Sequence, residues 1–158
     1  MDGIRPFPDY DLDGGVEIGF HTAQDQADFN EACPILFADE QNMFAATVAY
    51  ALPKGSTTLV DRVADPSPNA DDGLDRIHLH LGAAHDDVPA FGDRVDRLAR
   101  ALATEDAVMR VRLHLPEPYD NAHPAPPAPN VGHEVPAERR LIAIVDLAFA
   151  SPLERSMV

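Results

Sequence analysis

The sequence predicts an α+β fold, with two βαββ modules forming a curved, mixed or antiparallel sheet that carries its helices on one face. Three observations lead to this expectation. Several segments alternate apolar and polar residues with the period of a half-buried strand, and one segment carries an apolar stripe at helical spacing. The order of these signals also reads twice as strand, helix, strand, strand, over residues 16–64 and again over 75–150. At 158 residues, 45% of them hydrophobic and 25% charged, the chain has the size and balance of one α+β domain over 16–150 with its own core.

Residues 1–15 are rich in Pro, Asp and Gly and read as an irregular arm. Val16, Ile18 and Phe20 alternate with Glu17, Gly19 and His21, which predicts a strand over 16–21. Thr22 with Asp25 three residues on has capping-box spacing, so a helix begins there, and Pro34 either ends it or opens a second turn of helix. Phe44, Ala46, Val48, Tyr50 and Leu52 alternate as in a second strand, although the alanines around them equally favour helix. The turn signal at Pro53, Lys54 and Gly55 makes 57–63 its hairpin partner, and 64–74 reads as a linker.

In the second half, Ile77, Leu79 and Leu81 alternate with Arg76, His78 and His80, again a strand. A helix follows over 88–103, with Phe91, Val95, Leu98 and Leu102 on one stripe, Pro89 tolerated in its first turn, and Asp86 and Asp87 at its N-terminus. A strand over 108–115 places Met109, Val111, Leu113 and Leu115 on one face and Arg110, Arg112 and His114 on the other. Residues 116–137 form a long Pro-rich loop, a length that usually goes with lidding a site or wrapping a neighbour. The last strand, 140–150, is apolar on both faces except for Asp146, the pattern of a central strand, and 151–158 is a tail.

Composition narrows the function classes. The net charge of -15, with Lys54 the only lysine, repels phosphate backbones and anionic lipid surfaces, so neither nucleic acid nor membrane is an expected partner. The single cysteine, Cys33, excludes an internal disulfide and reads as an inert buried thiol. No basic-then-apolar leader pattern opens the chain, and no apolar run approaches the roughly 18 residues of a membrane span. The cytoplasm, or a particle assembled there, is the expected location. Glycine-rich phosphate loops, nucleophile elbows and paired CxxC motifs are absent from the sequence.

If the helices cover Ile18, Phe20, Ile77, Leu79, Val111 and Leu113, the opposite face gathers Glu17, His21, Arg76, His78, His80, Arg110, Arg112 and His114, together with Ile142, Ile144 and Asp146 from the last strand. Aligning the two first strands pairs Ile18 with Ile77, Phe20 with Leu79 and His21 with His80. His21, His80 and Asp146 then form a candidate two-His-one-carboxylate set for Fe(II) or a similar divalent metal. Arg110 and Arg112 are candidates for clamping a substrate carboxylate. Histidines 85, 123 and 133 fall in expected loops and read as surface residues.

This arrangement resembles the vicinal oxygen chelate superfamily, whose paired βαβββ modules form a cupped sheet and hold a divalent metal through the first and last strands of each module. The likeness is one of topology over 16–150, with His21, His80 and Asp146 matching in role by strand position; each module here has one strand fewer, and Asp146 stands where Glu is usual. The resemblance implies metal-assisted chemistry on a small molecule, such as that of a dioxygenase or a related lyase or isomerase, with His78 or His114 as acid–base residues. Other accounts fit the same residues. Any solvated strand face alternates in this way, and Asp146 suits a buried acid paired with an arginine such as Arg110. A non-catalytic subunit of a large assembly, such as a virion, phage tail, capsid or shell component, would use the Pro-rich arms to reach neighbouring subunits. A homo-oligomer is expected on either reading.

Overall fold

The computed structural model describes residues 12–63, 72–82, 88–122 and 128–158. The linker through residue 71, Asp86 and Asp87, His85 and His123 lie outside that set. The chain divides into two compact units, one from Met1–Ala51 and Tyr119–Arg140, the other from Leu52–Pro118 and Leu141–Val158. The architecture is α+β, with three helices and one four-stranded antiparallel sheet among the described residues.

The first unit is built around α1, Ala23–Glu40. Thr22 and Asp25 form the capping box that their spacing predicts: the Thr22 hydroxyl accepts from the Asp25 amide at 3.1 Å, and the Asp25 carboxylate accepts from the Thr22 amide at 2.9 Å. Pro34 neither ends the helix nor restarts it; α1 runs through, and the Asn30 carbonyl that loses its amide partner is on an exposed residue, where water can satisfy it.

Neither strand expected on either side of α1 forms. Val16 is 87% exposed, and the ring of Phe20 packs on Phe29 of α1, with centroids 5.3 Å apart. Over 44–52 the backbone makes one isolated parallel bridge, Ala46 to Gly132. The physical reason is common to both segments: alternation lets a segment lie half-buried on a sheet, but a strand exists only where a partner edge accepts its hydrogen bonds. The two-module repeat is corrected accordingly, since the described residues of the first module, 16–63, supply one helix and one strand.

His133, expected at the surface, instead ties the first unit together. Its Nδ1 lies 2.8 Å from the Thr47 carbonyl and must therefore carry a proton, and its Nε2 lies 3.2 Å from both the amide and the carbonyl of Ala128. The Tyr119 hydroxyl donates to the His133 carbonyl, and Asn121 pairs with both backbone groups of Val135. His133→Ala is expected to cost about 1–3 kcal/mol, because it strands the buried Ala128 amide. The emission of Tyr50 and Tyr119, whose rings lie 5.5 Å apart in this unit, reports its unfolding. An unchanged urea midpoint would show that His133 is dispensable.

The second unit holds the sheet: β1 (Thr57–Asp61), β2 (Asp75–Leu81), β3 (Val108–His114) and β4 (Ala143–Phe149), in the order β1-β3-β4-β2. β2 and β3 both run antiparallel to β4 and flank it, with α2 (Val88–Leu102) connecting them, so β2-α2-β3-β4 is a split β-α-β unit closed by its central strand. This is the strand, helix, strand, strand order expected over 75–150, with the last strand central. The turn at Gly55 forms, with φ +67° and its amide on the Leu52 carbonyl at 2.8 Å. The strand leaving it pairs with β3, however, and not with 44–52.

Val95 and Ala99 of α2 pack on Val108, Val111, Leu113, Ala143, Val145, Leu147 and Phe149, joined at the margin by Ile77, Leu79, Phe91 and Leu102. Two details differ from the expected stripes. Ala99 is fully buried whereas Leu98 is 44% exposed, because the methyl of Ala99 lets the helix lie close to the sheet. The β3–β4 register also shifts between Val108 and Arg110, so Val108 enters the core in place of Met109. Beyond β4 the expected tail contains one turn of helix, α3 (Pro152–Arg155), capped by the Ser151 hydroxyl and tied to β2 by Arg155 Nε, 3.2 Å from Asp75 Oδ2.

Candidate functional site

The face of the sheet opposite α2 carries the polar residues of the second unit, and the strand register arranges them in rows. One row runs Thr58, Arg112, Asp146, His78, the next His114, Ile144, His80, and the third Asp61, Arg110, Ala148, Arg76. Side chains at paired positions share a face. Arg76, His78, His80, Arg110, Arg112, His114, Ile144 and Asp146 therefore stand together, as their alternation implies. His21 and Glu17 belong to the first unit, in the non-strand segment before α1.

Asp146 lies at the centre of an ionic chain. Its Oδ1 is 3.3 Å from His78 Nε2, and its Oδ2 is 3.8 Å from Arg76 Nη1. Arg76 Nη2 donates to Asp72 Oδ2, which lies 3.9 Å from Arg110 Nη1, and Arg110 Nε donates to Asp61 Oδ2 at 3.0 Å. The arginine that accompanies Asp146 is thus Arg76; Arg110 is held by Asp61 and Asp72. Burial alone would raise the Asp146 carboxyl, but the adjoining His78 and the charges of Arg76 and Arg112 outweigh it and hold the group below the usual carboxylate value. Asp146 Oδ1 nevertheless makes no aligned hydrogen bond, so the His78 contact is an ionic approach.

The two histidines of β2 stack with centroids 6.4 Å apart. Burial, reinforced by the neighbouring His78, pushes the His80 imidazole below its ordinary value and so favours its neutral form at pH 7. Replacing His78 with glutamine removes the like charge, and the titration midpoint of His80, followed by NMR, is expected to rise. A midpoint that stays put would mean that burial alone sets it.

His114, a candidate acid–base residue, is buried, with its Nδ1 2.7 Å from the hydroxyl of Ser56. Ser56, Asp61 and Asp72 all belong to this face and were not singled out from the sequence. Only the β1–β3 pairing, a long-range property, brings Ser56 and Asp61 to it, and no local spacing signals either residue. Among the described residues no group of three or more His, Cys, Asp and Glu side chains gathers as a metal cage requires. Of the expected set His21, His80 and Asp146, the second unit contains the last two, and the imidazole that reaches the carboxylate is that of His78. A shallow depression beside α2, lined by Pro89, Gly92, Asp93, Asp96, Arg97 and Leu115, gathers no histidine.

Among the described residues no helix is long and apolar enough to cross a membrane. Compared with protein-family models, with curated proteins and with solved structures, the chain matches none at a significant level.

Proposed function

We propose that the polar face of the second unit is a small-molecule enzyme site whose working element is the His78–Asp146 pair. The observation that carries this reading is the asymmetry of the pair: the His78 side chain is 56% exposed, while the carboxylate behind it is 5% exposed. A buried carboxylate facing Nε2 favours the tautomer with the proton on that nitrogen, which makes Nδ1 the basic atom, and it stabilises the imidazolium formed when Nδ1 takes a proton. His78 is then a general acid–base, and Asp146 a positioning residue that acts through it. Arg76 and Arg112 surround the pair with positive charge, which favours an anionic substrate.

The test is solvent deuterium exchange into a panel of small carbon acids bearing carboxylate or phosphate groups. The protein is expected to accelerate exchange in some members, and His78→Gln to lower that rate by about 10²–10⁴-fold. Exchange that survives the substitution would remove His78 from the chemistry.

A divalent-metal reading competes at the same residues, and the observation in its favour is Asp146 Oδ1, buried beside His78 with no hydrogen-bond partner. Titration with Fe(II) under anaerobic conditions, and separately with Zn(II), distinguishes the two. Stoichiometric uptake that His80→Ala abolishes would replace the acid–base account with Lewis-acid or oxygen chemistry.

A further inference from the structure

We propose that Arg76 and Arg110 form a seat for the oxyanion of a small ligand, a carboxylate or phosphate group, and that the carboxylate of Asp72 fills this seat until such a ligand displaces it. The inference deepens the reading of this face as a small-molecule site by naming what it recognises.

Arg76 and Arg110 occupy one row of the sheet on either side of Ala148, whose side chain is a single methyl group. Asp72 approaches this row from the turn before β2. Gly73, at φ +68°, reverses the chain, and Asp72 Oδ1 accepts from the Leu74 amide at 3.2 Å. With that oxygen committed to the backbone, Oδ2 alone serves both arginines, donated to by Arg76 Nη2 and 3.9 Å from Arg110 Nη1, beyond hydrogen-bond reach. Asp72 thus neutralises the pair without saturating it.

The unsatisfied donor is identifiable. The Arg110 side chain is 4% exposed, its Nε is taken by Asp61, and its Nη2 has no acceptor. A buried guanidinium N–H without a partner is costly, and an oxyanion with two or three unencumbered oxygens can bridge both arginines, including that nitrogen, as Asp72 cannot. Binding therefore exchanges an internal one-oxygen contact for a multidentate external one and leaves the local charge balance intact.

The experiment is calorimetric titration of the full chain with inorganic phosphate and, separately, with succinate, the two arms distinguishing a tetrahedral from a planar oxyanion. Removing the internal competitor with Asp72→Asn is expected to tighten binding of at least one probe by roughly tenfold. Asp72→Ser, which also keeps a side-chain oxygen for the Leu74 amide, should do the same and serves if the first variant folds poorly. Asp93→Asn on α2 makes the same change in net charge and should leave affinity unaltered. Adding Arg76→Gln to Asp72→Asn should weaken binding at least tenfold. No gain in either Asp72 variant, an equal gain in Asp93→Asn, or binding indifferent to Arg76→Gln would each overturn the proposal. His78→Gln added to Asp72→Asn should leave the tightened binding in place, so loss of the seat and loss of the proton-transfer reading give different results.

Discussion

Phe149→Ala is expected to lower the unfolding free energy of the second unit by about 3–5 kcal/mol, whereas Leu98→Ala costs under about 1 kcal/mol. Phe149 is 2% exposed, at the end of the central strand, where it is paired with Asp75 on β2 and Val108 on β3. Truncating its ring removes contacts to both neighbouring strands and leaves a hole that β4 cannot close, because strands hydrogen-bonded on both sides fix its position. Leu98 has the same apolar character but turns from the core, at 44% exposure. The loss is large against the roughly 5–15 kcal/mol that hold a domain of ordinary size together. Urea unfolding followed by amide resonances of β3 and β4 measures it, since Tyr50 and Tyr119 report on the first unit. Equal costs for the two substitutions would contradict the packing of α2 through Ala99.

The contrast between Leu98 and Ala99 shows where periodicity stops being informative. Spacing along a helix locates an apolar face to within one position, and the choice of the residue at its centre depends on how near the helix lies to the sheet. Alternation succeeded over β2, and two-sided apolarity over β4, because both faces of those strands meet defined environments, apolar core on one side and the ionic chain on the other. Over 16–21 and 44–52 the same alternation produced no strand, since the partner edge it requires is not a property of the segment itself. Site residues divide in the same way. His78, His80, Arg112, His114 and Asp146 were legible because strand parity alone assigns them to a face. That His78, and not His80, meets Asp146 depends on the register between β2 and β4, which neither segment encodes by itself. Asp72 and Ser56 reach the site through a turn and an edge pairing that no local pattern encodes.

Asp146 is the residue at which stability and the proposed chemistry meet, and two substitutions there separate them. Asp146→Ala is expected to cost about 1–3 kcal/mol, because it removes the anion that Arg76 and His78 approach and that Arg112 faces across the sheet, and leaves a gap in its place. Asp146→Asn keeps the shape, costs less and acts mainly through pH. The carboxyl is held below its usual value in the folded protein, so folding favours the ionised form. Its contribution is therefore complete above the unfolded pKa of about 3.9 and is lost as pH falls through the lower folded value. Asp146→Asn should flatten this acid limb of the stability curve below pH 4, as followed by urea midpoints at successive pH values, and an unaltered limb would show that Asp146 contributes no charge to folding. His78→Gln, at a side chain 56% exposed, should leave stability within about 1 kcal/mol of the parent while removing proton transfer. A protein that loses exchange activity in both variants but shows a flattened acid limb only in Asp146→Asn is one in which the buried acid has two separable roles, anchoring the sheet face and orienting the base above it.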